Sequence, residues 1–326
     1  MHKIGAKILY NLYSKNRGKI SFFLLTYCHF GVIIKISITK GKVQPMKDFN
    51  SIRQEEASRI LVAAHRGACG GNIPCNTMTA FETALRQGAD ILEMDVERAA
   101  DGTLFIFHEG KEKPHLNDFE HSLKLMTADE IRQLRYVNQD HDVTQFPINT
   151  LDEVLEAFKG RCYINLDHCW HFFPEAVAAV RRHGMEEQII LKSAPKQKFF
   201  DIIAEVAPDI AYMPILKNED HCFDILSKMN INYAGAEVVF DSMEAEIASL
   251  EYIEKMHKAG KKLWANAIIY RYTVQLAAGM SDDTSLMEDP SKGWGALADR
   301  NYDIIQTDWT GMMCDYLYKT GKIYKN

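Results

Sequence analysis

No CxxC pair occurs in the 326 residues, which removes the usual signature of a zinc knuckle. The seven cysteines, Cys28, Cys69, Cys75, Cys162, Cys169, Cys222 and Cys314, are odd in number and scattered. A disulfide framework is not expected in a chain this large, although Cys69 and Cys75 are close enough in sequence for a single bridge. Reduced, buried thiols in a reducing compartment are the default reading. Also missing is any basic stretch long enough to track a phosphate backbone, and the formal charge is −6, so nucleic acid is not an expected partner. No tandem repeat and no clear linker follow residue 50, which argues for one domain from there on.

The chain lacks an uninterrupted apolar run of the roughly 20 residues that a spanning helix needs. The nearest is SFFLLTYCHFGVIIKI at 21–36, preceded by Lys15, Arg17 and Lys19 and interrupted by Cys28 and His29. No small-x-small cleavage site follows it. Met46 opens a natural beginning for a soluble domain. Residues 1–45 are therefore read three ways: an upstream extension, a membrane anchor, or a packed extra element. The expected location is cytoplasmic, with membrane anchoring through this segment as the alternative, and the oligomeric state is left open.

What is present is ordinary globular composition, 47% hydrophobic and 25% charged. After residue 50, β-branched runs alternate with helical patterns, which predicts a mostly parallel sheet. Strands are expected at 60–64, 91–96, 103–107, 162–166, 188–191, 210–213, 233–239, 262–266 and 303–306. Helices are expected at 77–88, with Asn76 as N-cap and Gly88 as C-cap, and near 127–135, 150–158, 174–183, 196–206, 220–229, 243–259 and 294–300. The fold class is α/β, a TIM-like (β/α)8 barrel, which takes roughly 250 residues. Nine strand candidates are one too many, and the Asp101-Gly102 turn joins the second and third too tightly for a crossover helix. Either one candidate is false or the barrel is irregular around strands 2 and 3.

Polar residues repeatedly occupy the C-terminal ends of these strands, which converge on one rim in a parallel barrel. His65-Arg66-Gly67 follows the first strand, His108-Glu109 the third, Asp167-His168 the fourth, and Asp308 the last. Glu93 and Asp95, two apart in one strand, point to the same face. With Asp167 they could form a hard, oxygen-rich site for Mg²⁺ or Ca²⁺. His65 and His108 suit general acid and base work near neutrality, and Arg66 offers a bidentate fork to phosphate oxygens.

At these residues the chain resembles the glycerophosphodiester phosphodiesterase family, within the phospholipase C-like phosphodiesterase superfamily. The resemblance begins at LVAAHRG, continues through CNTMTAFETALRQGADILEMDVERAADGTLFIFHE, and extends more weakly through YINLD, LWAN and YDIIQTDWT, spanning about residues 60–312. It implies His65 and His108 as the acid/base pair, Arg66 on the phosphate, and Glu93, Asp95 and Asp167 around the metal. Asn76 and Trp264 join Arg66 as expected substrate-binding residues. The implied substrate is a small or lipid-derived phosphodiester. In the family's chemistry a glycerol hydroxyl attacks phosphorus, and water opens the cyclic phosphate to give an alcohol and glycerol 3-phosphate. Stopping at the cyclic phosphate, or binding a phosphate or polyol without turnover, are the alternatives.

The chain departs from the family at several positions. Cys75 stands where the family has glutamate before the asparagine, and His108-Glu109 replaces a histidine-aspartate. Asp167-His168-Cys169 replaces glutamate-x-lysine, so a positive charge is missing, for which His168, His171 or Lys192 are candidate substitutes. Trp170, Phe172 and Phe173 are read as loop packing ahead of lining the pocket over an apolar part of the substrate, Lys111, Lys113 and His115 as solvated surface ahead of steering a phosphate, and Asp308 as a cap for the next segment ahead of a role in orienting the site.

Overall fold

The computed structural model describes residues 21–24, 36–39, 49, 59–117, 120–271 and 273–323. The chain divides into two units, Met1–Met46 and Lys47–Asn326. In the first, Ser21–Leu24 pairs antiparallel with Ile36–Thr39. The middle of the apolar run, residues 25–35, lies outside the described residues. Among the described residues no helix is long and apolar enough to cross a membrane.

In the second unit the apolar runs become β1 (Leu61–Ala64), β2 (Ile91–Arg98), β3 (Leu104–Ile106), β4 (Tyr163–Asp167), β5 (Ile189–Ser193), β6 (Ala211–Lys217), β7 (Gly235–Val239), β8 (Lys262–Asn266) and β9 (Ile304–Thr307). All but β3 are parallel, in the ring order β1-β9-β8-β7-β6-β5-β4-β2, and a β1–β2 pairing closes the barrel. The surplus strand candidate is real but lies outside the ring. β3 folds back antiparallel on the end of β2, with Val96 opposite Ile106 and Arg98 opposite Leu104. An extended β2 provides that second docking edge beyond its parallel pairing with β4. The chain is thus a TIM barrel in which β3 and the end of β2 form a hairpin arm.

The helices pack their apolar stripes onto the ring. In Leu151–Phe158, the residues Leu151, Val154, Leu155 and Phe158 are all fully buried, the i, i+3, i+4, i+7 pattern of a core-facing helix. Thr150 and Glu153 form a reciprocal capping box at its start. The helix after β1 is Met78–Arg86, and its N-cap is Thr77 rather than Asn76. Asn76 takes a left-handed conformation, φ 56°, and is diverted to the site described below. The C-cap is Gln87, one residue before Gly88.

Other boundaries shift where tertiary packing overrides periodicity. The expected helix at 243–259 is α-helical only over Leu250–Lys258, that at 220–229 shrinks to Phe223–Leu226, and a π turn, Ser291–Gly295, precedes Ala296–Asp299. The helix Thr310–Lys319 and the hairpin Arg135–Val137/Val143–Pro147 were not expected. The hairpin belongs to an insertion after β3 with its own apolar cluster, including Phe105, Phe107, Ile131 and Tyr136.

Gly67 sits where the chain turns from β1 toward the first helix. Its φ is +80°, and a Cβ there would lie 2.7 Å from the Ala80 carbonyl carbon. Strain and overlap act together, so Gly67→Ala is expected to destabilise the barrel by about 2–4 kcal/mol. Chemical denaturation checks this, and an unchanged midpoint would contradict it.

Candidate active site

The strands' C-terminal ends deliver their polar residues to one cavity of about 470 Å³. His65 after β1, Glu93 in β2, His108 after β3 and Asp167 at the end of β4 all line it, together with Arg66, His168, Lys192, Glu237, Asn266 and Tyr270. Asp95 lies behind this wall, fully buried. A larger hollow of about 730 Å³ adjoins at His168, but it contains none of His65, His108, Glu93, Asp95 or Asp167. Chemistry therefore points to the smaller cavity.

Glu93, Asp95 and Asp167 each offer an oxygen within 4.8 Å of the other two. Burial, then the neighbouring Asp95 charge, pushes Glu93 up to about 8. Burial raises Asp167 too. For Asp95, burial is outweighed by the Arg66, His108 and His168 charges and the Asn76 hydrogen bond, so its carboxyl stays below the ordinary range. One oxygen on each aspartate, Asp95 Oδ1 and Asp167 Oδ1, is buried and accepts no hydrogen bond. Orphaned acceptors among crowded carboxylates fit a hard divalent cation such as Mg²⁺ or Ca²⁺. Asp95 also groups with His108 and His168, so the two histidines border the same locus.

The residues expected on the substrate fall into different places. Arg66 does border the cavity, but its Nε is 2.9 Å from Asp95 Oδ2 and its backbone N–H donates to Glu93 Oε2 at 2.8 Å. It braces the carboxylates. Asn76 is buried, and its Nδ2 donates to Asp95 Oδ2 at 2.7 Å. Trp264, expected to bind substrate, is fully buried: its Nε1 donates to Gln306 Oε1 at 3.0 Å, and the Lys192 ammonium lies 3.0 Å from its ring centre. The inward positions of β8 are stacked, so Asn266 reaches the cavity and Trp264 fills the layer below.

The histidines are held differently. His65 Nδ1 lies 2.8 Å from Asp308 Oδ1. Burial works against its charge, but that hydrogen bond with the Glu93 and Asp308 charges raises it to about 9. His108 Nδ1 donates to the Glu109 carbonyl at 2.7 Å, which leaves Nε2 as the acceptor. Burial holds His108 below its ordinary value. The Glu109 carboxylate turns away to Lys124, 3.2 Å distant, so the family-like dyad is not formed through that side chain.

Asp308 orients His65; the following helix has Trp309 at its N-cap and no side-chain cap bond. Asp308 is in turn fixed by Asp282, whose Oδ2 accepts the Asp308 N–H at 2.9 Å. Asp282 Oδ1 accepts Trp294 Nε1 at 2.6 Å and Thr307 Oγ1 at 2.7 Å. Sequence reading missed Asp282, because a carboxylate opening a helix is unremarkable. Glu237 had the same signal as Glu93, an acid in an apolar strand, and was missed. Among the three candidate substitutes for the absent lysine, His171 lines the adjoining hollow, the His168 ring lies tilted against that of His108 with centres 4.4 Å apart, and Lys192 is buried in the cavity wall with Nζ 2.7 Å from Glu237 Oε2.

A family model described as a domain of unknown function matches residues 212–317. A curated glycerophosphodiester phosphodiesterase of Bacillus subtilis (strain 168) is 26% identical over 167 residues, 48% of this chain and 54% of that protein. The chain therefore spans about half the length of that relative. The crystal structure of a glycerophosphoryl diester phosphodiesterase from Parabacteroides distasonis has a TM-score of 0.71 at 19% identity, covering 85% of this chain and 93% of its own. An Oleispira antarctica phosphodiesterase in complex with the product sn-glycerol-3-phosphate has a TM-score of 0.58 at 19% identity, covering 80% and 98%. The structural likenesses agree on the barrel, and the sequence relationship with the motifs above makes the chain similar to glycerophosphodiester phosphodiesterases.

Proposed function

We propose that this chain hydrolyses a glycerophosphodiester to an alcohol and glycerol 3-phosphate, using a divalent cation held by Glu93, Asp95 and Asp167. The observation that carries this reading is that His65, His108, Glu93 and Asp167, in or just after four different strands, border a single cavity. The Oleispira antarctica phosphodiesterase of the same fold, bound to the product sn-glycerol-3-phosphate, supports a glycerophosphodiester substrate.

A bound cation would neutralise phosphate oxygens and stabilise charge developing at phosphorus. The remaining work falls to the chain. His108, with Nδ1–H donated to the Glu109 carbonyl, keeps a free Nε2 to accept the proton of an attacking glycerol hydroxyl. His65, its Nδ1 on the Asp308 carboxylate, carries the proton that the leaving alkoxide takes up. Their roles exchange when water opens the cyclic phosphate, so each proton removed at one ring is matched by one delivered from the other. Arg66 and Asn76 hold Asp95 and so keep the carboxylates in register.

Glycerophosphocholine turnover in EDTA, Mg²⁺ or Ca²⁺ tests the reading. Glycerol 3-phosphate release is expected with ion and not with EDTA. The ion should also raise the melting temperature of the wild type, because a ligand bound only to the folded state stabilises it, and not that of Asp95→Asn. Equal turnover in EDTA, or none with either ion, would sink the proposal.

A further inference from the structure

A separate hollow of about 530 Å³ opens beside the segment joining β1 to the first helix, bordered by Cys69, Cys75, His115, Asp308 and Trp309. The segment doubles back on itself. Gly70 and Ile73 exchange N–H···O bonds of 3.0 Å in both directions, and Gly71 turns the corner at φ 56°. A reciprocally bonded antiparallel pair stands about 5.5 Å apart at Cα. Its flanks, Cys69 on one side and Pro74-Cys75 on the other, are brought together. Both thiols are free and border the same hollow. Cys69 is exposed and Cys75 half-buried, whereas Cys162, Cys169, Cys222 and Cys314 are buried.

We propose that Cys69 and Cys75 are a reversible dithiol–disulfide site, oxidised by a hydroperoxide. Such a bridge requires Cα atoms within about 7 Å, which the doubled-back segment favours. The Cys69 sulfur attacks the terminal peroxide oxygen, breaking the O–O bond to give a sulfenic acid and an alcohol or water. The Cys75 thiol then attacks that sulfur, forming the S–S bond and releasing water. Two thiols lose two electrons and two protons, and the peroxide takes up both. The neighbouring Cys75 thiol lowers Cys69 to about 7, which supplies thiolate near neutrality. The Cys75 proton leaves with the sulfenic hydroxyl as water, and His115 Nε2 lies beside this thiol, 4.0 Å from Cys75 Sγ.

The site matters for its position. The ends of this segment carry Arg66, whose N–H holds Glu93, and Asn76, whose side chain holds Asp95. The Asn76 N–H also donates to the Arg66 carbonyl at 2.9 Å, closing the base of the loop. A bridge would clamp the loop that organises both carboxylates.

The test uses the full chain carrying Cys28→Ser, a small excess of hydrogen peroxide, thiol alkylation and tryptic mass mapping. The peptide 67–86 should carry no alkyl label and be about 2 Da lighter than its reduced form, with dithiothreitol restoring both thiols. Cys75→Ser should halt at a dimedone-reactive sulfenic acid on Cys69. Both thiols still alkylated after peroxide, or Cys69 over-oxidised in the wild type while Cys75 stays alkylatable, would overturn the proposal. The readout is one peptide's mass, so it is independent of the proposed activity.

Discussion

Replacing His65 with alanine is expected to lower glycerophosphocholine turnover about 10²- to 10⁴-fold, the usual contribution of a positioned acid or base, while the barrel stays folded. Only the bond to Asp308 is lost, and Asp308 is 45% exposed, so its carboxylate returns to water at little cost. The pH profile separates His65 from a merely structural residue. As the acid, His65 must hold its proton, and its value is raised to about 9, so activity falls as pH rises through that value. As the base, His108 must be proton-free, and burial lowers it from 6.5, so activity rises as pH climbs through a value below that. The profile is a bell with a broad neutral top. Asp308→Asn removes the charge that lifts His65 and leaves only a neutral acceptor at Nδ1, so the alkaline limb should move down towards 6.5. An alkaline limb that stays in place would assign the acid elsewhere.

The second large effect concerns stability. Lys192→Met is expected to cost about 3–5 kcal/mol, because it leaves the Glu237 carboxylate without its cation inside the barrel. Lys192 is 1% exposed and Glu237 13%, and their contact is 2.7 Å. The Trp264 ring face beneath the ammonium adds a cation–π contact at 3.0 Å that methionine cannot replace. Thermal unfolding should shift down on the order of 10 °C. Glu237 also accepts Asn266 Nδ2 at 2.7 Å, so the double variant Lys192→Met/Glu237→Gln keeps an acceptor while removing the stranded charge. It should recover much of the loss. A double variant as unstable as the single would mean that packing around Lys192, not charge, sets the cost.

Much of the barrel was legible in local pattern. The strand runs and the helix stripe at Leu151–Phe158 follow periods that a short window reveals. Asn76 and Thr77 show where such reading stops. Either polar residue suits an N-cap, and the choice fell to Thr77 because Asp95, nineteen positions on, claims the Asn76 side chain. The nine strand candidates likewise left the ring ambiguous, since a short apolar run looks the same whether it joins parallel or folds back antiparallel as β3 does.

What the sequence determined by itself is the set of chemical groups and the strand ends that carry them: His65, Glu93, Asp95, His108 and Asp167 each follow from a motif or from period-two alternation. Only the tertiary structure decided how those groups are held. His65 meets Asp308 across 243 positions, Lys192 meets Glu237 across 45, and Asp308 meets Asp282 across 26. Those pairings exist because ring closure sets strand ends from distant parts of the chain side by side. In a low-dielectric interior each charge must then find a partner among the groups that closure supplies. The same closure sent Trp264 to the layer below the cavity and turned Arg66 onto Asp95. Alternation says which face a side chain takes, and barrel geometry says how deep that face lies.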